Sequence, residues 1–160
     1  MNKFQNADKI GQAKALKYIE ESMGENTSLN IEQHWVDNGK IDLFITATTK
    51  SNRVEYYAIE CKNRWKYDYD FIVKNGAMLD VAKEKELRKA IDDGYRGCYL
   101  MTFKEGVMIW VLNDIDTSRL EKKRVTKNRT TAVDNGKITD DVYILPYDLC
   151  KYMKRLPMNN

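Results

Sequence analysis

The sequence predicts an α/β domain: a central mixed β-sheet flanked by helices. Two adjacent apolar runs at residues 41–48 and 53–62 have strand length and are separated only by the polar turn Thr49-Lys50-Ser51-Asn52. Two other stretches, 8–23 and 77–92, carry apolar residues at helical spacing. The 160 residues, 42% hydrophobic and 32% charged, suit one domain with its own core rather than two domains or a disordered chain.

The elements follow in order. In the first helix, Gln12, Leu16, Ile19 and Met23 form one stripe, Asn6 or Asp8 can cap it, and Gly24 stops it. A strand crosses residues 29–35, and Asn38-Gly39 is a turn signal. The two apolar strands come next, then an aromatic and charged connector at 63–74. The second helix, 77–92, turns Met78, Val81, Ala82, Leu87, Ala90 and Ile91 inward, with Gly94 just past its end. Residues 98–103 and 107–112 form another strand pair around Lys104-Glu105-Gly106. A polar, basic, threonine-rich loop spans about 116–137, residues 142–145 are the last strand, and Asp148 caps a short final helix.

Composition excludes several functions. No apolar run approaches the roughly 20 residues of a membrane span, and the first six residues lack the apolar core of a signal peptide. Cys61, Cys98 and Cys150 are odd in number and outside any CxxC, so they read as reduced thiols of a cytoplasmic protein. The lone His34 excludes a multi-histidine zinc site and weakens any Ser–His or Cys–His triad. The net charge of +3 is modest but unevenly spread.

The chemistry concentrates on the two apolar strands. Ile41, Leu43 and Ile45 alternate with Phe44, and Ile59 and Cys61 alternate with Ala58, so both faces are apolar and both strands read as central. Asp42, Glu60 and Lys62 are the charges that need explaining there. Glu60 and Lys62 share a face, roughly 7 Å apart. If the strands form a hairpin pairing Thr48 with Val54, Asp42 falls opposite Glu60. A slip of one residue would move Asp42 to the other face. Two facing carboxylates either take up a proton or hold a cation between them, and Mg²⁺ suits oxygen ligands with positions left for water. The structural alternative for these charges is a buried ion pair.

Asp42 followed by Glu60-Cys61-Lys62 resembles the PD-(D/E)xK nuclease signature, and Asn63-Arg64 is also common there. A helix, a strand and then Gly39-Lys40-Ile41-Asp42-Leu43 resemble the Holliday-junction-resolvase-like branch of that superfamily, over about residues 10–112. The resemblance implies a restriction-endonuclease-like fold and a Mg²⁺- or Mn²⁺-dependent deoxyribonuclease, more specifically an endonuclease, with no small-molecule organic cofactor. It implies that Asp42, Glu60 and the backbone carbonyl of Cys61 hold the metal, while the Cys61 thiol points away. Lys62 would orient or help deprotonate the attacking water and stabilise charge on the phosphate. Two positions depart from the pattern. Ile41 stands in place of the motif proline. Gln12 stands where many relatives place a glutamate on the first helix; it can contact a metal-bound water but brings no charge. Glu20 or Glu21 is the other candidate for that carboxylate.

Candidate nucleic-acid contacts lie outside this motif. Arg64-Trp65-Lys66-Tyr67-Asp68-Tyr69 interleaves basic and aromatic side chains, suited to phosphates and bases or to covering the core edge. Arg119, Lys122, Lys123, Arg124, Lys127 and Arg129 make the densest positive run, an arm for DNA phosphates or a solvated loop. Lys83, Lys85, Arg88 and Lys89 read as a wet helix face with a Glu84–Arg88 pair. The implied partner is DNA, and family analogy adds a homodimer, since cutting two strands is simplest with two sites. A nuclease-fold module that binds DNA or a protein partner without catalysis is the second reading, and an RNA-directed protein the third.

Overall fold

Alternating burial makes the central strands. In a computed structural model describing residues 11, 13–15, 17–19, 28–35, 40–128 and 137–155, strand β2 (Leu43–Thr49) buries Leu43, Ile45 and Ala47 and leaves the residues between half-buried. Residues 28–35, 127–128 and 137–138 are described by their backbone alone. On β3 (Val54–Arg64), Ala58, Ile59 and Glu60 are all buried, the mark of a strand covered on both faces. The turn between them closes with the Thr49 N–H donating to the Arg53 carbonyl at 2.8 Å, and Asn52 takes a positive φ of 63° that asparagine tolerates.

Described residues 11, 13–15 and 17–19 form helix α1, and β1 (Ser28–Trp35) pairs antiparallel with β2. After β3 come helix α2 (Tyr69–Asn75), the short strand β4 (Ala77–Asp80) and helix α3 (Val81–Asp92). Strands β5 (Arg96–Phe103) and β6 (Gly106–Val111) form a hairpin. Strands β7 (Lys122–Asn128), β8 (Lys137–Leu145) and β9 (Tyr152–Arg155) complete the chain. The main sheet runs β1-β2-β3-β5-β6-β9, five principal strands and the four-residue edge strand β9. Only β3–β5 is parallel among its described pairs, because α2, β4 and α3 carry the chain back across. A second, antiparallel sheet runs β4-β8-β7. The α/β class with a mixed sheet and helices holds.

Two apolar layers sandwich the main sheet. On one face, Ala15, Tyr18 and Ile19 of α1 pack on Leu43, Ile45, Ile59, Cys98 and Leu100. On the other, Leu87 and Ala90 of α3, with Leu79 and Leu145 of the small sheet, pack on Ala58, Tyr99, Met101 and Phe103. Two buried ring tips on this second face are satisfied: the Tyr99 hydroxyl donates to the Met78 carbonyl at 3.0 Å and the Trp110 indole to the Pro146 carbonyl at 2.8 Å.

Several local expectations are corrected. Residues 77–80 form a strand, not the start of the helix: Ala77 and Leu79 are buried in alternation and pair with Leu145 and Tyr143. Gly76 makes the break, with φ 72° and a backbone so close to β8 that a Cβ would lie 2.7 Å from the Leu145 carbonyl oxygen. On α3, Glu84, Leu87 and Ala90 are buried and Ile91 packs half-buried on the same core as expected, while Ala82 is exposed. The connector 63–74 contains α2, capped where the Asp68 carboxylate accepts from the Phe71 N–H at 2.8 Å. The basic stretch expected as a loop at about 116–137 contains β7, which pairs with β8; its mostly polar side chains hide the strand period. The expected last strand at 142–145 is the end of the longer β8, and β9 follows it. In place of an Asp148-capped helix there is a single 3₁₀ turn, Tyr147–Leu149, without a side-chain cap. On α1 the described buried residues are Gly11, Ala15, Tyr18 and Ile19. Gln12, Leu16, Glu20, Glu21, Met23 and the Asn38-Gly39 turn lie outside the described residues.

Candidate active site

The β2–β3 register is the one that pairs Thr48 with Val54 and Leu43 with Ile59. Continued by one residue it sets Asp42, in the bend just ahead of β2, against Glu60. The Asp42 carboxylate accepts the Cys61 backbone N–H at 3.0 Å, which fixes the acid at the edge of β3. Glu60 is 8% exposed. Its neighbours on the strand, Ile59 and Cys61, pack into the α1 layer, so Glu60 and Lys62 share the face covered by α3.

From α3 the Lys83 ammonium reaches Glu60 Oε1 at 3.1 Å and donates to the Lys40 carbonyl at 3.0 Å. The second oxygen, Glu60 Oε2, is buried with no hydrogen-bond partner. Burial pushes the Glu60 carboxyl up to about 7, and repulsion from Asp42 adds to it; Lys83 and, less, Lys62 pull it down. Lys62 is exposed. The site is thus two acids held together by backbone register, one oxygen left over, and two ammonium groups beside it.

These residues fit a hard divalent cation. A buried carboxylate oxygen without a donor, next to a second carboxylate, is costly unless a proton or a cation satisfies it. Among the described residues no group of three or more His, Cys, Asp or Glu side chains is placed to hold a metal ion. A pair of acids supplementing its shell with carbonyl and water matches Mg²⁺ better than an ion that needs a full set of protein side chains. The Cys61 thiol is no ligand here: it packs against the α1 layer, and burial, followed by Asp42 and Glu60, raises it well above the usual thiol range.

Beside the site, a groove of about 530 Å³ is lined by Lys40, Ile41, Phe44, Glu86, Lys89 and Tyr95, among others. It borders the segment leading into Asp42, yet neither carboxylate lines it. Past Lys62, Arg64 lies over the Tyr67 ring at 5.8 Å and Lys66 over the Trp65 ring at 4.9 Å. Lys122, Lys123 and Arg124 are exposed on β7, the outer strand of the small sheet, and not in the same sheet as Glu60. Lys123 lies 3.7 Å from Glu121 and Arg124 4.0 Å from Asp141, so acids offset part of that charge. The side chains of Gln12, Lys127, Arg129 and His34 lie outside the described ones.

Lys83 is the site residue that the sequence pattern assigns to solvent. The signal was present in the helix itself: Lys83, Leu87 and Ala90 fall at i, i+4 and i+7, so the lysine sits one turn ahead of two inward residues. The expected Glu84–Arg88 pair is present, and the half-buried Arg88 also donates to the carbonyls of Leu112 and Ile115.

No protein-family model matches the chain, and no curated protein or solved structure matches it.

Proposed function

We propose that the chain is a metal-dependent nuclease that hydrolyses DNA phosphodiester bonds, with a restriction-endonuclease-like fold of the PD-(D/E)xK type. The observation that carries this reading is the unpartnered, buried Glu60 Oε2 beside Asp42. Asp42, Glu60 and the Cys61 carbonyl would hold Mg²⁺ or Mn²⁺. The ion supplies charge that lowers the pKa of water and polarises the phosphodiester. The chain's own groups do the rest. The Cys61 N–H holds Asp42 in place, and Lys83 occupies Glu60 Oε1 so that Oε2 is the oxygen left for a cation. Lys62, exposed on the same face, orients the attacking water and offsets the negative charge that develops on the phosphate.

Supercoiled, linear, branched and single-stranded DNA incubated with Mg²⁺ or Mn²⁺ tests the reading. Asp42→Ala and Lys62→Ala each abolish cleavage while the fold persists; cutting retained by both variants refutes the site. A second reading is favoured by one observation, that only two carboxylates meet among the described residues. In it the fold binds DNA or a protein partner without catalysis. DNA binding with no cleavage of any of the four substrates selects that reading.

A further inference from the structure

We propose that the exposed rings of Trp65 and Phe71 form a stacking subsite for unpaired nucleotides, so that the substrate is DNA carrying a single-stranded segment at the site. The inference rests on the nuclease reading for what the subsite serves. It rests on the structure for the subsite itself.

Trp65 is 52% exposed and Phe71 41% exposed. One such residue alone says little, because apolar atoms cover much of any protein surface. Here basic side chains lie on Trp65 itself and on Tyr67, the ring packed against Phe71. Lys66 Nζ lies 4.9 Å from the Trp65 centroid. The Tyr67 and Phe71 rings are 4.4 Å apart and tilted by 38°, with the Arg64 guanidinium 5.8 Å from the Tyr67 centroid. Tyr67 leans on the core, so Phe71 is the member of that stack presented to water.

The placement runs outward from the carboxylates. Glu60, Lys62 and Arg64 alternate along one face of β3, with roughly 7 Å between successive members. The strand ends at Arg64 and the aromatic segment begins at the next residue. The aromatic segment thus continues directly from the strand that carries Glu60, Lys62 and Arg64. Residues 62–74 hold four basic side chains (Lys62, Arg64, Lys66, Lys74) against two acids, Asp68 and Asp70. Asp68 is engaged as the α2 cap. The excess positive charge suits a phosphate backbone.

The segment is also held in shape. The Tyr67 N–H donates to the Arg64 carbonyl at 2.9 Å, and its carbonyl accepts from the Lys104 N–H at 2.9 Å. A preformed platform loses less entropy on binding. Every unpaired base offers a face to such rings, whereas bases inside a duplex are stacked on one another; the platform thus selects single-stranded DNA over duplex without reading sequence.

Fluorescence anisotropy with a labelled single-stranded 20-mer and its duplex, at matched salt and in chelator, tests this apart from catalysis. Trp65→Ala and Phe71→Ala each weaken binding of the single strand by about tenfold and leave duplex binding within about twofold. Equal losses on both DNAs, or no loss on either, overturn the proposal. Tighter binding of an oligoribonucleotide of the same sequence overturns the assignment to DNA. If cleavage is absent with Mg²⁺ yet Trp65→Ala still removes the single-strand preference, the nuclease reading fails and the subsite stands.

Discussion

Glu60 and Glu84 are buried almost equally, at 8% and 7% exposure, and each meets a basic side chain of α3. Their surroundings differ. Glu84 Oε1 accepts from Arg88 Nε at 2.7 Å and from the Thr117 hydroxyl at 2.9 Å, and Arg88 goes on to the Leu112 and Ile115 carbonyls at 2.7 and 2.6 Å. That network joins α3 to the turns after β6 and closes on itself. Glu60 has Lys83 on one oxygen, nothing on the other, and a second acid beside it. The buried charge of Glu84 is met by donors from its own chain, whereas at Glu60 one buried oxygen has none.

Mutation at the two places separates these roles. Asp42→Ala or Lys62→Ala lowers metal-dependent cleavage by at least about 10²–10³-fold. Glu84→Ala leaves cleavage per folded molecule unchanged and instead destabilises the fold by about 3 kcal/mol, because Arg88 loses its carboxylate in a partly buried setting. Urea unfolding read beside cleavage rates checks the pair. Loss of cleavage in well-folded Glu84→Ala would erase the distinction.

The same contrast has a pH dependence. Glu60 in the folded protein sits at about 7 against an ordinary value of 4.5, so the native state binds more protons than the unfolded chain between those values. Stability of the metal-free protein therefore falls as pH rises through that window, by up to about 3 kcal/mol, and the loss is complete above it. Glu60→Gln, which imitates the protonated acid, melts higher than wild type at pH 8 in chelator and lacks this fall. Saturating Mg²⁺ restores stability to wild type at pH 8, by about 2.7 kcal/mol at a hundred times Kd, and not to Glu60→Gln. Thermal melts from pH 5 to 8 measure all three.

The central hairpin was legible because several signals agree there. The short polar turn and the two apolar runs mark a hairpin, and pairing Thr48 with Val54 is the register that brings Asp42 opposite Glu60. The class of the fold followed from the same strands and from α3. What stayed hidden depends on tertiary contact. Ala77-Met78-Leu79-Asp80 reads equally as helix or strand, and only the pairing with β8 decides it. Lys122–Asn128 carries no apolar alternation, so its strand is specified by its partner rather than by its own residues. At the site, Asp42, Glu60 and Lys62 could be brought together by counting along two strands. Lys83 comes from an element distant in sequence, and a lysine's long stem hides which neighbour its head will meet.

Lys83 gives the smallest effect and the sharpest comparison. If it merely fastened α3 to the sheet, as Arg88 fastens α3 to the turns after β6, Lys83→Gln would weaken Mg²⁺ binding by a similar factor at every pH. Lys83 instead also lowers the Glu60 carboxyl, so its removal raises that group above about 7. At pH 7 more of the variant then carries a protonated Glu60, and a proton must leave before the cation can enter. Apparent Mg²⁺ affinity falls by about threefold there, because one lost ammonium tightens proton binding at Glu60 by less than about tenfold. At pH 9 the acid is ionised in both proteins, and the variant has lost a positive charge that repels the ion. Its affinity at pH 9 equals or exceeds that of wild type. Calorimetric titration at the two pH values decides between a crossing pair of curves, which marks Lys83 as a tuner of the open carboxylate, and a parallel pair, which makes it a second structural joint.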